Sequence, residues 1–305
     1  MIRLISLLFV TILLTSCKES RVDKITRLVN EWSGKTIRFP DNMCLTSYAN
    51  DTVIMKYERE KLPYTILNYV DTIGCMSCKL QLPRWKEMLE EIDSVYPNKV
   101  NCLMVFYPKG KRKFIKHLRD NHFDRFVFID EMDSLNRMNN FLHEEHLCTF
   151  LLDKNDKIIA IGNPILNYNV KKMYLDIISG KTVLSSYDKQ LLTDVSISKT
   201  KIDLGTFSWN DAQEVEIQIS NVGKNTLVMN DVITSCGCIS VEYSKEPIQS
   251  NKVLSMKIKY KAEHPEHFDK TITIYCNIKD APLRLKISSI LLIIIKYFLK
   301  FCAIT

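Results

Sequence analysis

The stretch Gly74–Trp85, GCMSCKLQLPRW, constrains this chain more than any other. It places Cys75 and Cys78 on either side of Met76 and Ser77. Upstream, Tyr64-Thr-Ile-Leu-Asn-Tyr-Val70 is rich in β-branched and aromatic residues and reads as a strand. Downstream, Leu80, Leu82, Met88, Leu89 and Ile92 trace the apolar face of a helix that ends near Tyr96 and Pro97. A C-x-x-C pair at the start of such a helix is a compact dithiol. The first sulfur lies at the helix N-terminus, where the dipole and the free N–H groups favour a thiolate. The second sits one turn on, close enough to close a disulfide. The same spacing also suits half of a zinc site, but zinc needs two more ligands in a similar cluster. No second C-x-x-C or H-x-H follows, so no metal is expected.

A strand, then C-x-x-C-K, then Pro83 five residues after the second cysteine resembles the thioredoxin superfamily. That family's helix carries a kinking proline at the same offset, explained by the missing N–H. The resemblance implies a thioredoxin-like α/β fold and a redox-active Cys75–Cys78 disulfide with no other cofactor. Two departures stand out. The family faces its dithiol with a cis-proline loop, T-P-T-x-F-L, whereas the equivalent run here is His146-Leu-Cys-Thr-Phe-Leu151, with Leu147 in the proline's place. A cis bond before a non-proline residue costs roughly 2.5–4 kcal/mol, so a trans, reshaped loop is expected. The proline normally presents backbone for substrate pairing and keeps metal off the thiols, so its loss bears on both. In addition, Tyr69 stands where thioredoxin has a buried acid ahead of the first cysteine. The reshaped loop adds two candidates. His146 is either a cation near Cys75 or a plain surface histidine. Cys148 is either a third thiol or a buried strand-edge cysteine. Cys102 is mid-strand and reads as core.

The chain has 305 residues, enough for about two domains. Only 8 are glycine, and no G-x-G-x-x-G or Walker pattern appears, which argues against phosphate-cradling loops. The net charge of +7 is modest, and the basic run Lys109–Lys116 reads as a solvated helix face; no nucleic-acid partner is expected. Residues 1–17, MIRLISLLFVTILLTSC, join an early positive charge, an apolar run and Leu14-Thr-Ser-Cys17. This resembles a bacterial lipoprotein signal with its lipobox. The resemblance implies cleavage of residues 1–16 and acylation of Cys17, with palmitate-type chains holding the protein to the cell envelope, facing periplasm or cell surface. An ordinary signal peptide or short anchor is the simpler alternative. An envelope address places the dithiol where disulfides persist.

Residues 17–62 read as a charged approach segment, with helical spacing at Ile25, Leu28, Val29 and Trp32 and a spare thiol at Cys44. Residues 63–182 alternate strand and helix, implying a mostly parallel sheet covered on both faces. Their order, with the closing hairpin F-L-L-D-K-x-x-x-I, is similar to envelope reductases of the TlpA and peroxiredoxin-related kind. Residues 183–194 form a polar linker. From 195 to 288 only strands follow: Val195–Ile202, Val215–Ile219, Thr226–Met229, Cys238–Tyr243, Val253–Tyr260 and Lys270–Cys276, punctuated by turns. This pattern argues for a β-sandwich. The L-G-T-F, N-V-G-x-N-x-L, S-C-G-C and T-I-T-I-x-x-N runs resemble an envelope Ig-like domain of unknown function with a C-G-C signature. Cys236 and Cys238 have three readings: structural thiols beside a glycine bulge, a strained and therefore oxidising disulfide, or soft ligands for Cu(I). Cys276 reads as core. Residues 289–305 are an apolar tail, a sticky helix or strand extension too short and too interrupted by lysine to span a bilayer.

Together these features point to an α/β thioredoxin-like domain followed by an all-β Ig-like sandwich on a lipoprotein. The leading functional reading is a thiol–disulfide oxidoreductase, Cys75 attacking and Cys78 resolving, acting on protein thiols or disulfides and served by a redox donor protein. The alternative is a non-catalytic binding or scaffolding lipoprotein, favoured by Leu147. A thiol metal carrier is a third reading. A peroxidase is a fourth, with Thr72-Ile-Gly-Cys75 a partial echo of T-x-x-C.

Overall fold

A computed structural model of the chain describes residues 20–48, 52–58, 62–72, 76–142, 147–181, 191–262 and 267–292. The N-terminal unit contains α1 (Arg21–Trp32), β1 (Cys44–Ser47), β2 (Val53–Lys56), β3 (Tyr64–Asp71), α2 (Met76–Leu80), α3 (Leu82–Val95), β4 (Val100–Tyr107), α4 (Lys111–Asp120), β5 (Val127–Ile129), α5 (Ser134–Asn139), β6 (Thr149–Asp153), β7 (Ile158–Ile161) and α6 (Tyr168–Ser179). Its strands form one mixed sheet in the order β2-β1-β5-β4-β3-β6-β7. The centre, β3, β4 and β5, is parallel, and β6 and β7 run as an antiparallel hairpin on one side. Side chains on β3 and β4 alternate between two cores, so both strands read as almost unbroken apolar runs. Ile66, Met104 and Phe106 pack under Trp85 of α3, Phe114 of α4 and Tyr174 of α6. Leu67, Leu103 and Val105 face the other way, toward Leu28 and Trp32 of α1 and Phe141. This is a thioredoxin-like α/β layer with helices on both faces.

Within the approach segment expected over residues 17–62, the described residues hold α1, β1 and β2. Ser20 caps α1 by accepting from the Asp23 N–H at 3.1 Å. Trp32 is buried and stacks on Phe150 at 5.8 Å between centroids. β1 and β2 extend the sheet beyond β5. Short strands of four residues carry little periodic signal, which hides them from a sequence reading.

The helix expected to run on from Cys78 is broken. Pro83 has no N–H to offer the Lys79 carbonyl, and its ring would crowd that carbonyl in a continuous helix. Gln81 takes a left-handed conformation, φ 45°, and α3 restarts behind it. Its carbonyl accepts from the Arg84 and Trp85 N–H groups at 3.0 and 3.1 Å.

The C-terminal unit is an Ig-like sandwich of β8 (Val195–Ile197), β9 (Lys201–Ser208), β10 (Gln213–Asn221), β11 (Met229–Thr234), β12 (Ile239–Tyr243), β13 (Val253–Tyr260), β14 (Phe268–Cys276) and β15 (Leu283–Leu292). The sheets β12-β13-β10-β8 and β11-β14-β15-β9 face each other. Ile217, Ile219, Met256 and Ile258 of one meet Ile272, Ile274, Leu285 and Ile287 of the other, each pair at the two-residue period of a strand. The Val195–Ile202 run divides into two strands in different sheets, and the strand expected at Thr226–Met229 begins only at Met229. The first part of the apolar tail is a strand extension: β15 continues past residue 288 to pair parallel with β9, Ile290 opposite Thr206 and Leu292 opposite Ser208. Residues 293–305 lie outside the described residues. In the N-V-G turn, a side chain on Gly223 would meet the Thr193 hydroxyl at 2.2 Å and the Asp194 N–H at 2.4 Å. The glycine thus lets the incoming chain lie against the sandwich.

Trp32→Ala should cost about 3–5 kcal/mol in urea unfolding, the range for an aromatic lost from a packed core. A residue on a loose approach segment would cost almost nothing.

Candidate active site

β3 ends at Asp71 and α2 begins at Met76, so Cys78 enters in the first turns of a helix at the carboxyl end of the parallel strands. Lys79 donates to Asp71 at 2.8 Å and ties that helix to the strand end. Cys78 is half-buried and faces two hollows. The first, about 150 Å³, is lined by Asn68, Asp71, Cys78, Cys148 and Asn163. Asn68 is buried; its carbonyl accepts from the Thr149 hydroxyl at 2.8 Å, and its amide nitrogen has no partner among the described residues. The second, about 470 Å³, lies between the two units, with Val29, Cys78, Leu147 and Leu166 on one wall and Ile233 and Thr273 on the other.

Tyr69 does not take over the proton-transfer role of an acid. Its hydroxyl donates to Asp133 at 2.5 Å. Burial first, and then that bond to a carboxylate, push its ionisation far above the ordinary tyrosine value. Asp71 is the carboxylate that shares the first hollow with Cys78.

The sandwich closes over Cys78. Cys236 and Cys238 form a disulfide in the turn between β11 and β12, Cα atoms 5.1 Å apart. The Cys236 sulfur lies 3.3 Å from the Cys78 sulfur, across 158 residues of sequence. Cys236 is buried and Cys238 half-buried. Lys270 of β14 points its ammonium at the Cys78 sulfur from 3.8 Å, which sets positive charge beside a group that reacts as an anion.

A register of contacts holds the disulfide there. Cys78 meets Cys236; Gln81 reaches the Thr234 carbonyl at 3.5 Å; Arg84 donates to the Val232 carbonyl at 2.7 Å and to both Asp231 oxygens, the nearer at 2.9 Å. Residues three apart along the α2–α3 segment thus meet a strand running the opposite way. The Arg84 fork also donates to the Ile165 carbonyl at 2.9 Å. Tyr168 and Tyr275 pack at 5.8 Å on the same boundary.

Of the residues singled out in the sequence, the structure brings Cys78, Leu147, Cys148, Cys236 and Cys238 into one neighbourhood. Leu147 is buried. Cys148 is buried too, and its thiol donates to the Leu142 carbonyl at 3.1 Å. Cys75, His146 and Cys17 lie outside the described residues. Cys276 is core, its thiol pushed by burial up to about 11. Cys102 is only half-buried, yet desolvation and then the Asp93 charge, partly offset by Arg125, push it up to about 12. Arg84, Asp231, Gln81 and Lys270 carry no sequence signal of their own. Arg84 stands beside Pro83 in the motif, but nothing in the primary structure pairs it with Asp231.

A family profile described as "Protein of unknown function (DUF1573)" matches residues 195–291. No curated protein matches the chain. Among solved structures, the chain is similar to a protein of unknown function from Porphyromonas gingivalis W83, at 22% identity over 33% of this chain and 47% of that one, TM-score 0.31. It is similar to a thiol:disulfide interchange protein from Bacteroides sp., at 13% identity over 52% of this chain and 95% of that one, TM-score 0.35. It is also similar to the ASH / PapD-like domain of human CEP192, at 11% identity over 33% and 87%, TM-score 0.24. The chain spans about half the length of the Porphyromonas protein.

Two outcomes follow from this geometry. A double-mutant cycle on Arg84→Ala and Asp231→Ala should show each single change costing about 1.5–3 kcal/mol, with the double change costing far less than their sum, since charged hydrogen bonds in a partly covered site are of that size. Alkylation of the native chain with iodoacetamide at about pH 9, near the ordinary thiol value, should label exposed Cys44 and spare Cys102 and Cys276, whose raised values keep them protonated there.

Proposed function

We propose that this chain is a thiol–disulfide oxidoreductase working through Cys75 and Cys78, held to the cell envelope by lipid on Cys17. One observation carries the reading: Cys78 sits on a helix at the carboxyl end of a thioredoxin-like sheet, with an ammonium 3.8 Å from its sulfur and a disulfide sulfur 3.3 Å from it. Buried structural cysteines lack such company; Cys276 has burial alone acting on its thiol. In the proposed cycle the Cys75 thiolate attacks a substrate disulfide and forms a mixed disulfide. Cys78 then attacks Cys75, releasing the reduced substrate and closing the Cys75–Cys78 disulfide. Substrates are protein thiols or disulfides, electrons come from a redox donor protein, and no cofactor beyond the cysteine pair takes part. The lipobox run Leu14–Cys17 supports the anchor and the envelope address.

A second reading is a binding lipoprotein in which the cysteines are structural. Leu147 in place of the loop proline favours it, as does the sandwich lying over Cys78.

Equilibration of the full chain with glutathione or dithiothreitol buffers separates the two. A reversible two-electron transition of the Cys75–Cys78 pair at roughly −270 to −120 mV is expected, with exchange activity lost in Cys75→Ser. A pair that stays oxidised well below about −300 mV sinks the oxidoreductase.

A further inference from the structure

We propose that the Cys236–Cys238 disulfide of the sandwich is a built-in exchange partner of Cys78, so that one disulfide passes between the two domains of the same chain. The inference rests on the dithiol reading above and adds a defined partner to it.

The two sulfurs are 3.3 Å apart, inside the roughly 3–3.5 Å of a near-attack arrangement. The step balances without any further reagent. The Cys78 thiolate attacks the Cys236 sulfur; a Cys78–Cys236 bond forms, the Cys236–Cys238 bond breaks, and Cys238 leaves as a thiolate that takes up a proton. The Cys75 thiolate, three residues upstream, then attacks Cys78 and releases Cys236 as a thiol. The Cys75/Cys78 dithiol has lost two electrons and the Cys236/Cys238 pair has gained them. The reverse sequence returns them, with the difference in potential setting the direction.

The surroundings suit exchange better than mere support of the fold. Lys270 comes from the strand next to β11 and places its ammonium at the attacking sulfur. The departing sulfur, Cys238, is the more open of the two, while the attacked sulfur, Cys236, is buried against the helix. Small thiols in solution therefore reach Cys236 poorly, whereas Cys78 already touches it. Its position is held from the β11 side: Thr234 donates its hydroxyl to the Cys236 carbonyl at 3.0 Å, and Arg84 and Gln81 fix the strand that leads into the turn. Arg84 is a positioning residue in this scheme and touches no sulfur. A disulfide with only a structural task in the sandwich has no need of this register.

The test follows each cysteine pair separately in the full chain by acid quench, alkylation and peptide mass, after addition of limiting dithiothreitol to the oxidised protein. Reduction of Cys236–Cys238 should be at least about tenfold slower in Cys78→Ser than in the unaltered chain, because a tethered thiol at contact distance outruns a dissolved one. Arg84→Ala should slow the same step with a smaller effect and leave the potential of each pair in place. An equal rate in Cys78→Ser overturns the relay; if Cys75–Cys78 still titrates reversibly in the unaltered chain, the oxidoreductase reading stands without it. A second variant guards against a folding artefact. In Cys75→Ser/Cys238→Ser, mild oxidation should link Cys78 to Cys236 in nearly all molecules, and failure to form that link overturns the proposal.

Discussion

The packing of the α2–α3 segment against β11 is the constraint on which the rest of this site depends. Its origin is Pro83. Had the helix run unbroken, residues three apart would have drifted around its surface, since 3.6 residues make a turn. The break at Gln81 resets the path, and Cys78, Gln81 and Arg84 all come to face one strand. Arg84 then makes the contact specific. One terminal nitrogen of its guanidinium takes both oxygens of a carboxylate while the other two nitrogens each take a backbone carbonyl, a geometry a lysine cannot reproduce. The sandwich is thereby held at one height along the helix, and that height puts sulfur on sulfur.

The same chain holds cysteines in very different settings, and the settings separate their chemistry. Cys276 lies in a strand of the sandwich core, and burial alone raises its thiol. Cys102 lies on β4 near Asp93, and its thiol is raised further. Cys148 donates a hydrogen bond to a backbone carbonyl. Cys78 has an ammonium and a disulfide for neighbours. Redox chemistry needs the last kind of setting, because the thiolate is the nucleophile and must meet its target at contact distance.

The departures from the thioredoxin pattern have physical counterparts. Tyr69 keeps its proton because burial and Asp133 hold it, so it serves the core beside Phe141 rather than proton transfer. Leu147 faces the hollow between the domains and lines it together with Ile233 and Thr234. A leucine there covers apolar surface that the sandwich also covers.

Much of this protein can be read from its residues alone. The strand at Tyr64–Val70, the alternation of elements to residue 180 and the strand-only run after 195 follow from periodicity and turn residues, and these act over a few neighbours. The short strands β1 and β2, the break at Gln81 and the reach of β15 to Leu292 are less legible, since each depends on what the segment packs against. The meeting of Cys78 with Cys236 lies beyond any local pattern. It joins residues 158 apart through the docking of two separately folded cores, and an ion pair between Arg84 and Asp231 helps to set that docking. The sequence determines that the chain carries a C-x-x-C pair on one domain and a C-x-C pair on another; the tertiary structure brings their sulfurs together, because three-dimensional packing alone chooses which surfaces of two finished domains touch.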